Sequence, residues 1–154
     1  MPDALPVVES LAAQIETTYQ SLVSDHTLIE FARPKQIMDA GNHPLESLKA
    51  QLLQGPFEEI QRQTGAVLKR GSFYIIAPLV PAASSTDAIQ KLLNVLGCKI
   101  EKVARANPTW SGWAHSECKI TGPVPFRDER RIDGVILEIE ATIRHSDTDP
   151  TVKL

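Results

Sequence analysis

The chain's four histidines are the first residues to consider for chemistry, because imidazole binds metals and transfers protons near neutral pH. They are His26, His43, His115 and His145. None belongs to an HxH or HExxH pair, and none has the Cys/His spacing of a zinc site. We therefore expect surface or turn histidines and no metal site.

The two cysteines are the next reactive groups. Cys98 lies in a helical pattern and Cys118 in a strand pattern, without CxxC spacing. A disulfide between them is one possibility, but two buried, reduced thiols in a cytoplasmic protein are favoured.

Two short segments resemble reactive sites only in part. The segment HSDTDP, from His145, places Asp147 and Asp149 two apart but lacks the glycine and distal glutamate of a calcium loop. Ser111, His115 and Ser116 lie close together, yet WSGWAHS lacks the G-x-S-x-G elbow of a hydrolase. The glycines do not form a phosphate-binding loop either. We predict no catalytic residues and no cofactor, hence a protein that is not an enzyme.

The loop TWSGWA holds both tryptophans, Trp110 and Trp113. Two interpretations stay open. The rings could close the end of the core between helix and sheet, or they could contact a partner, since tryptophan is enriched at interface hot spots. A pocket near Trp110, Trp113 and His115 would instead indicate a small ligand-binding or regulatory domain.

The bulk composition is that of a soluble globular protein. A length of 154 residues predicts one domain, and a net charge of −3 gives no general attraction for nucleic acid. The longest apolar runs fall short of the roughly 18 residues that cross a bilayer, and the N-terminus lacks the features of a signal peptide. Neither membrane insertion nor export by that route is expected.

The segment GVILEIEATIRH, residues 134–145, alternates apolar and polar positions as a half-buried strand does. At about 3.3 Å per residue it would reach about 40 Å, longer than most strands. We expect part of it to extend beyond the compact body. Such an unpaired overhang is a template for another chain, so the pattern hints at self-assembly.

The other elements are predicted from periodicity and breakers. In order they are a helix over 4–23, a short strand over 27–33, a loop over 36–43, a short helix over 45–53, a strand over 66–70, a turn at Gly71 and Ser72, a strand over 73–80, a helix from the SSTD cap at 84–87 to Asn107, and a strand over 116–126. Residues 57–63 fit either a strand or a helical turn. Gly97 inside the long helix predicts a close packing contact.

These elements predict a single α+β domain over 1–154, with 146–154 as a loose tail. Its sheet is expected to be mixed or mostly antiparallel, with helices packed on one face and a long C-terminal β-hairpin. The hairpin tip carries both signs of charge, at Arg127, Asp128, Glu129, Arg130, Arg131 and Asp133. Such a tip is usually solvated, but mixed charge also permits head-to-tail pairing of identical copies. With Ile136 and Glu138 on the last strand, these residues are the expected subunit or tube interface.

The order of segments from residue 72 to 145 resembles the tail-terminator proteins of long-tailed bacteriophages and related prophage minor tail proteins. It comprises the strand SFYIIAPLV, the helix DAIQKLLNVLGCKIEKVARA, the loop NPTWSGWA, the strand ECKITGPVPF, the charged turn and the final strand. NPTWSGWA stands where the family has a D-P-T-L-G-G-like loop, with Trp110 for an aliphatic residue and Ser111 for the first glycine. Residues 34–63 do not map onto the family.

The resemblance implies a ring, usually a hexamer, at the head-proximal end of the virion tail, assembled in the host cytoplasm. Its partners would be itself, the tail tube protein and a head-tail connector or neck protein. DNA would pass through the lumen without specific binding, which a weakly acidic lining would favour. The resemblance implies no enzymatic residues.

Overall fold

A computed structural model describes residues 4–34, 46–79, 86–127 and 133–154. In chain order, the elements are α1 (Val7–Ser24), β1 (Glu30–Ala32), β2 (Lys49–Gln54), β3 (Glu58–Gln63), β4 (Ala66–Leu79), α2 (Thr86–Ala106), β5 (Lys119–Arg127) and β6 (Asp133–Ser146). Buried residues of both helices and of one sheet face form one hydrophobic core. The predicted α+β class, with a mixed sheet and a long C-terminal hairpin, is confirmed.

The sheet is organised around the antiparallel pair of β4 and β6. β5 pairs with the other edge of β6, while β2 and β3 share the other edge of β4. β1 joins β2 and is the parallel member of the sheet. In the order β1-β2-β4-β6-β5, β6 is therefore an interior strand.

The long final strand is confirmed, since β6 spans 14 residues. The predicted overhang is wrong. Every β6 residue pairs with β4, from Asp133 opposite Leu79 to Ser146 opposite Ala66. β5 begins at Lys119, opposite Glu140, and beyond this point β6 is hydrogen-bonded to another segment: Thr142 O accepts from His115 N at 2.7 Å. β6 therefore has no unpaired end, because β4 is also 14 residues long and pairs with it throughout.

The turn predicted at Gly71 and Ser72 is wrong, because β4 continues through both residues. Gly71 pairs with Ala141 in the ladder. A β-carbon at Gly71 would lie 2.5 Å from the ring of Phe57, which packs on Phe73 with centroids 5.5 Å apart. The glycine thus admits an aromatic ring and does not reverse the chain.

The short helix predicted over 45–53 is also wrong, because residues 49–54 form β2. Ala50 and Leu52 are buried, and pairing of Leu52 with Ile75 in β4 supplies contacts that local leucine spacing does not reveal. Residues 58–63, within the segment left undecided, form β3, whose six positions are all exposed. The predicted loop at 36–43 lies outside the described residues.

Both long helices are confirmed with small shifts at their ends. Ser84 and Ser85 of the predicted cap lie outside the described residues. The close contact predicted at Gly97 is confirmed, since a β-carbon there would lie 2.8 Å from Pro123 Cγ on β5. Neither helix in the described ranges is long and apolar enough to cross a bilayer.

The last residues are folded back against the body, contrary to the expected loose tail. Val7 N donates to Pro150 O at 3.0 Å, which ties the start of α1 to the tail. Ser146 N donates to Val152 O at 2.9 Å, and the Lys153 ammonium lies 5.6 Å from the ring centroid of Trp113. These hydrogen bonds are made by backbone atoms, so the polar sequence of residues 146–154 gives no pattern from which they could be predicted.

Candidate interaction surface

The histidines do not converge on a site. His26 and His115 are exposed, and His43 lies outside the described residues. His145 is buried on β6, where its Nδ1 donates to Ser146 O at 2.6 Å, so the expectation of a surface residue is wrong there. No group of three potential metal ligands occurs within the described ranges.

The acidic residues of HSDTDP fix turns. Asp147 accepts from Gly65 N at 3.2 Å, and Asp149 Oδ1 accepts from the amide and hydroxyl of Thr151 at 2.9 and 2.7 Å. The hydrogen bonds from Thr151 hold the pKa of Asp149 below its usual value. These carboxylates are engaged in local structure.

The two thiols are unpaired, as favoured, but their surroundings differ. Cys98 is exposed on α2, contrary to expectation, and Cys118 is partly buried just before β5. Burial raises the pKa of the Cys118 thiol to about 11. The exposed thiol is the accessible one.

The tryptophans divide between the two interpretations. Trp110 is 0 % exposed and packs on Tyr19, with ring centroids 5.9 Å apart, so it belongs to the core. A direct partner contact by Trp110 is therefore wrong, and Trp110 cannot line a ligand pocket in this fold. Trp113 is half-buried at the rim of the core. Two clefts, of about 340 and 290 Å³, are lined by other residues, one by residues of β1 and β2 and the other by residues around Arg70.

The ends of the charged hairpin tip pair with each other. Arg127 Nε and Nη2 donate to the two carboxylate oxygens of Asp133 at 2.8 and 3.2 Å. Asp133 is only 6 % exposed, so this ion pair closes the hairpin within one chain and leaves little of Asp133 for a partner. Asp128, Glu129, Arg130 and Arg131 lie outside the described residues, and their role stays a prediction.

Ile136 and Glu138 lie on the sheet face opposite the core, which we call the open face. Two cross-strand rows define it. One row is Gln51, Ile76, Ile136 and Val124, and the next is Leu53, Tyr74, Glu138 and Thr121. Odd-numbered neighbours such as Leu137 point into the core and are buried. The structure thus places these two predicted interface residues side by side on one surface.

Five partly exposed side chains make the open face apolar at one end. We call them the apolar patch: Leu53, Tyr74, Ile76, Val124 and Ile136. Val124, at 55 %, is the most exposed of the five. The ring of Phe126 lies beside this patch over Gly134, where a β-carbon would be 2.6 Å from the ring. Neither α1 nor α2 covers the patch, because both helices pack into the core on the other side.

An acidic border adjoins the apolar patch. Glu138 accepts from Ser72 Oγ at 2.8 Å and has no cationic partner among the described residues. Glu140 lies one position further along the open face, 4.0 Å from Arg70. The patch is therefore bordered by a carboxylate that lacks a counter-charge.

The edges of the sheet are poor templates for strand addition. β5 contains Pro123 and Pro125, each without an amide hydrogen. β1 has only three residues. β3 is charged and carries a register shift between Glu59 and Gln61. Short, proline-containing, charged or bulged edges are the usual means of preventing edge pairing, so faces are the available contact surfaces.

Comparisons of the chain with protein-family models and with curated proteins give no match. What bears on function is the open face, together with the resemblance of residues 72–145 described above. Sequence patterns identified Ile136 and Glu138 but missed Leu53 and Val124. Those two positions depend on strand pairing and on a bulge between Thr121 and Val124.

Proposed function

We propose that this protein is a structural, non-enzymatic subunit of the tail-terminator type. Copies of it form a ring, expected to be a hexamer, that ends a phage tail tube and offers a joining surface on the head side. The apolar patch on the open face is the observation that carries the proposal, because an exposed contiguous apolar surface typically marks an interaction site.

The arrangement of helices and sheet in two layers favours a ring of subunits rather than a two-fold dimer. In the described part of the chain, one outer surface is formed by helices and the other by a sheet face that neither helix covers, so the two surfaces differ in shape and chemistry. Contacts between unlike surfaces of identical copies run head to tail, and they close into a ring when the rotation per subunit allows. The blocked edges favour contacts through faces over strand pairing.

The remaining partners follow from the same proposal. One rim of the ring meets the tail tube protein, and the other meets a head-tail connector or neck protein. DNA passes through the lumen without specific binding, consistent with a net charge of −3. Tight, salt-sensitive binding of this protein to duplex DNA would contradict that part.

The direct test is a tube-termination experiment. Tail tube protein from the same phage or prophage is polymerised with and without this protein, and tube ends are examined by negative-stain electron microscopy. We expect ring-shaped caps and tubes that no longer elongate when fresh tube protein is added. Tubes that keep growing, with no density at their ends, would overturn the terminator role.

A further inference from the structure

Helix α2 carries a second side-chain stripe besides the one in the core. Leu92, Val95, Lys99 and Lys102 are spaced by three, four and three residues, which places them on one side of a helix. All four are exposed, Leu92 by 48 % and Val95 by 51 %. We call them the outer stripe. It is apolar toward the start of α2 and basic toward its end.

The basic half of the outer stripe is partly neutralised. The pKa of the Asp25 carboxyl is lowered mainly by hydrogen bonds from Thr27 and, to a smaller extent, by the charge of Lys99. Lys99 Nζ lies 3.4 Å from the hydroxyl of Thr27, and Lys102 forms no ion pair within the described residues. The nearby Glu101 is already bonded to Arg105. The stripe therefore has the opposite charge to Glu138 on the open face, which no cation among the described residues pairs with.

We propose that the outer stripe of one copy docks on the open face of the next copy. Leu92 and Val95 cover the apolar patch, while Lys99 and Lys102 reach Glu138 and Glu140. The inference rests on the proposed function and specifies the subunit contact within it. Both surfaces are apolar at one end and charged at the other. The complementary charge on the open face is that of Glu138, since Glu140 also lies near Arg70 and opposite Lys119 in the sheet.

The spacing of the two charged ladders is compatible with this contact. At about 1.5 Å rise per residue, Lys99 and Lys102 follow Val95 by about 6 and 10 Å along the helix. At about 3.3 Å per residue, Glu138 and Glu140 follow Ile136 by about 7 and 13 Å along β6. Flexible lysine side chains can absorb a difference of this size.

This contact is head to tail, because the outer stripe and the open face are different surfaces of the subunit. Each sheet becomes enclosed between its own helices and α2 of its neighbour. Both surfaces of every copy are used when the ring closes. A two-fold contact of open face on open face would instead leave every outer stripe exposed.

Charge reversal tests the contact. The variants K99E/K102E and E138K/E140K are each expected to dissociate about tenfold or more readily than the natural chain, measured by light scattering across a dilution series. Mixing the two variants is expected to restore assembly, because each then meets a complementary surface. The control R62E/K153E makes the same charge change as K99E/K102E at exposed positions outside both surfaces and should assemble normally.

Disulfide trapping gives an independent readout. In a Cys98→Ser background, a Val95→Cys chain mixed with a Val124→Cys chain should form a mixed disulfide dimer. Self-crosslinking of the Val124→Cys chain alone would indicate open face on open face and overturn the inference. A natural chain that stays monomeric would refute the proposed function itself, whereas rings unaffected by K99E/K102E would refute only this contact.

Discussion

Neighbouring residues of β6 should respond very differently to truncation, because they point to opposite faces of the sheet. Leu137 is 0 % exposed and pairs with the buried Ile75 of β4, whereas Ile136 is partly exposed on the open face. The substitutions Leu137→Ala and Ile136→Ala remove side-chain carbons from the same strand. Leu137→Ala removes carbons from the closed core, whereas Ile136→Ala removes them from a surface that faces solvent.

The magnitudes follow from burial. A fully buried leucine truncated to alanine typically costs about 2–5 kcal/mol of unfolding free energy, because a cavity remains. At about 2–4 °C per kcal/mol for a chain of this size, Leu137→Ala should lower Tm by roughly 4–20 °C. Ile136→Ala removes surface that is only partly buried, so we expect a cost of about 1 kcal/mol in the dissociated subunit.

The assay is thermal unfolding followed by circular dichroism at several protein concentrations. Under the proposed assembly, the Tm of the natural chain should rise with concentration, because association of folded subunits stabilises the folded state by mass action. Ile136→Ala should weaken that dependence while lowering the dilute-limit Tm by only about 2–4 °C. Equal losses for the two substitutions, or a larger loss at Ile136, would show that β6 faces are assigned wrongly.

Three further outcomes follow from burial and packing. Trp110→Ala should lower the free energy of unfolding in urea by about 3–5 kcal/mol, whereas Trp113→Ala at the rim of the core should lower it clearly less. The reverse order would place Trp110 outside the core. Iodoacetamide at pH 8 should modify Cys98 well before Cys118, because a pKa of about 11 leaves little Cys118 thiolate at pH 8. Equal modification rates of the two thiols, measured by mass spectrometry, would contradict the burial of Cys118. Gly97→Ala should lower the free energy of unfolding by about 1–2 kcal/mol despite alanine's helix propensity, because the new β-carbon would lie 2.8 Å from the ring of Pro123. A gain in Tm would contradict that contact.

Periodicity predicted the elements whose burial is one-sided. The strand 134–145 and the long helix ending at Asn107 both expose one face and bury the other, so their patterns are clear in sequence. Gly97 was predicted as a close contact because a glycine inside a helix needs a packing reason. Local spacing was enough to predict these features, although the partner of Gly97, Pro123 on β5, was not predicted.

Features that depend on pairing were missed. Gly71 looks like a turn residue, but its ladder partner Ala141 and the ring of Phe57 decide its role. The leucines around 45–53 fit a helix until pairing with β4 selects a strand. The overhang of β6 was expected from its length alone, without knowing that β4 is equally long.

The interface prediction shows the same division. Alternation along β6 identified Ile136 and Glu138 as neighbours on one face, and the structure shows that no helix in the described ranges covers that face. The partners contributed by β2 and β5 could not be identified without knowing the strand order. The outer stripe of α2 could be read from spacing, but its exposure required the position of the core.

Native mass spectrometry of the purified protein is the most direct measurement of whether the chain assembles through its faces. Copies of 16.9 kDa joined head to tail should give one dominant closed species at a small integer multiple of that mass, which under the proposed tail-terminator function is a hexamer. A spectrum dominated by the 16.9 kDa subunit at micromolar concentration and near-physiological ionic strength would contradict it.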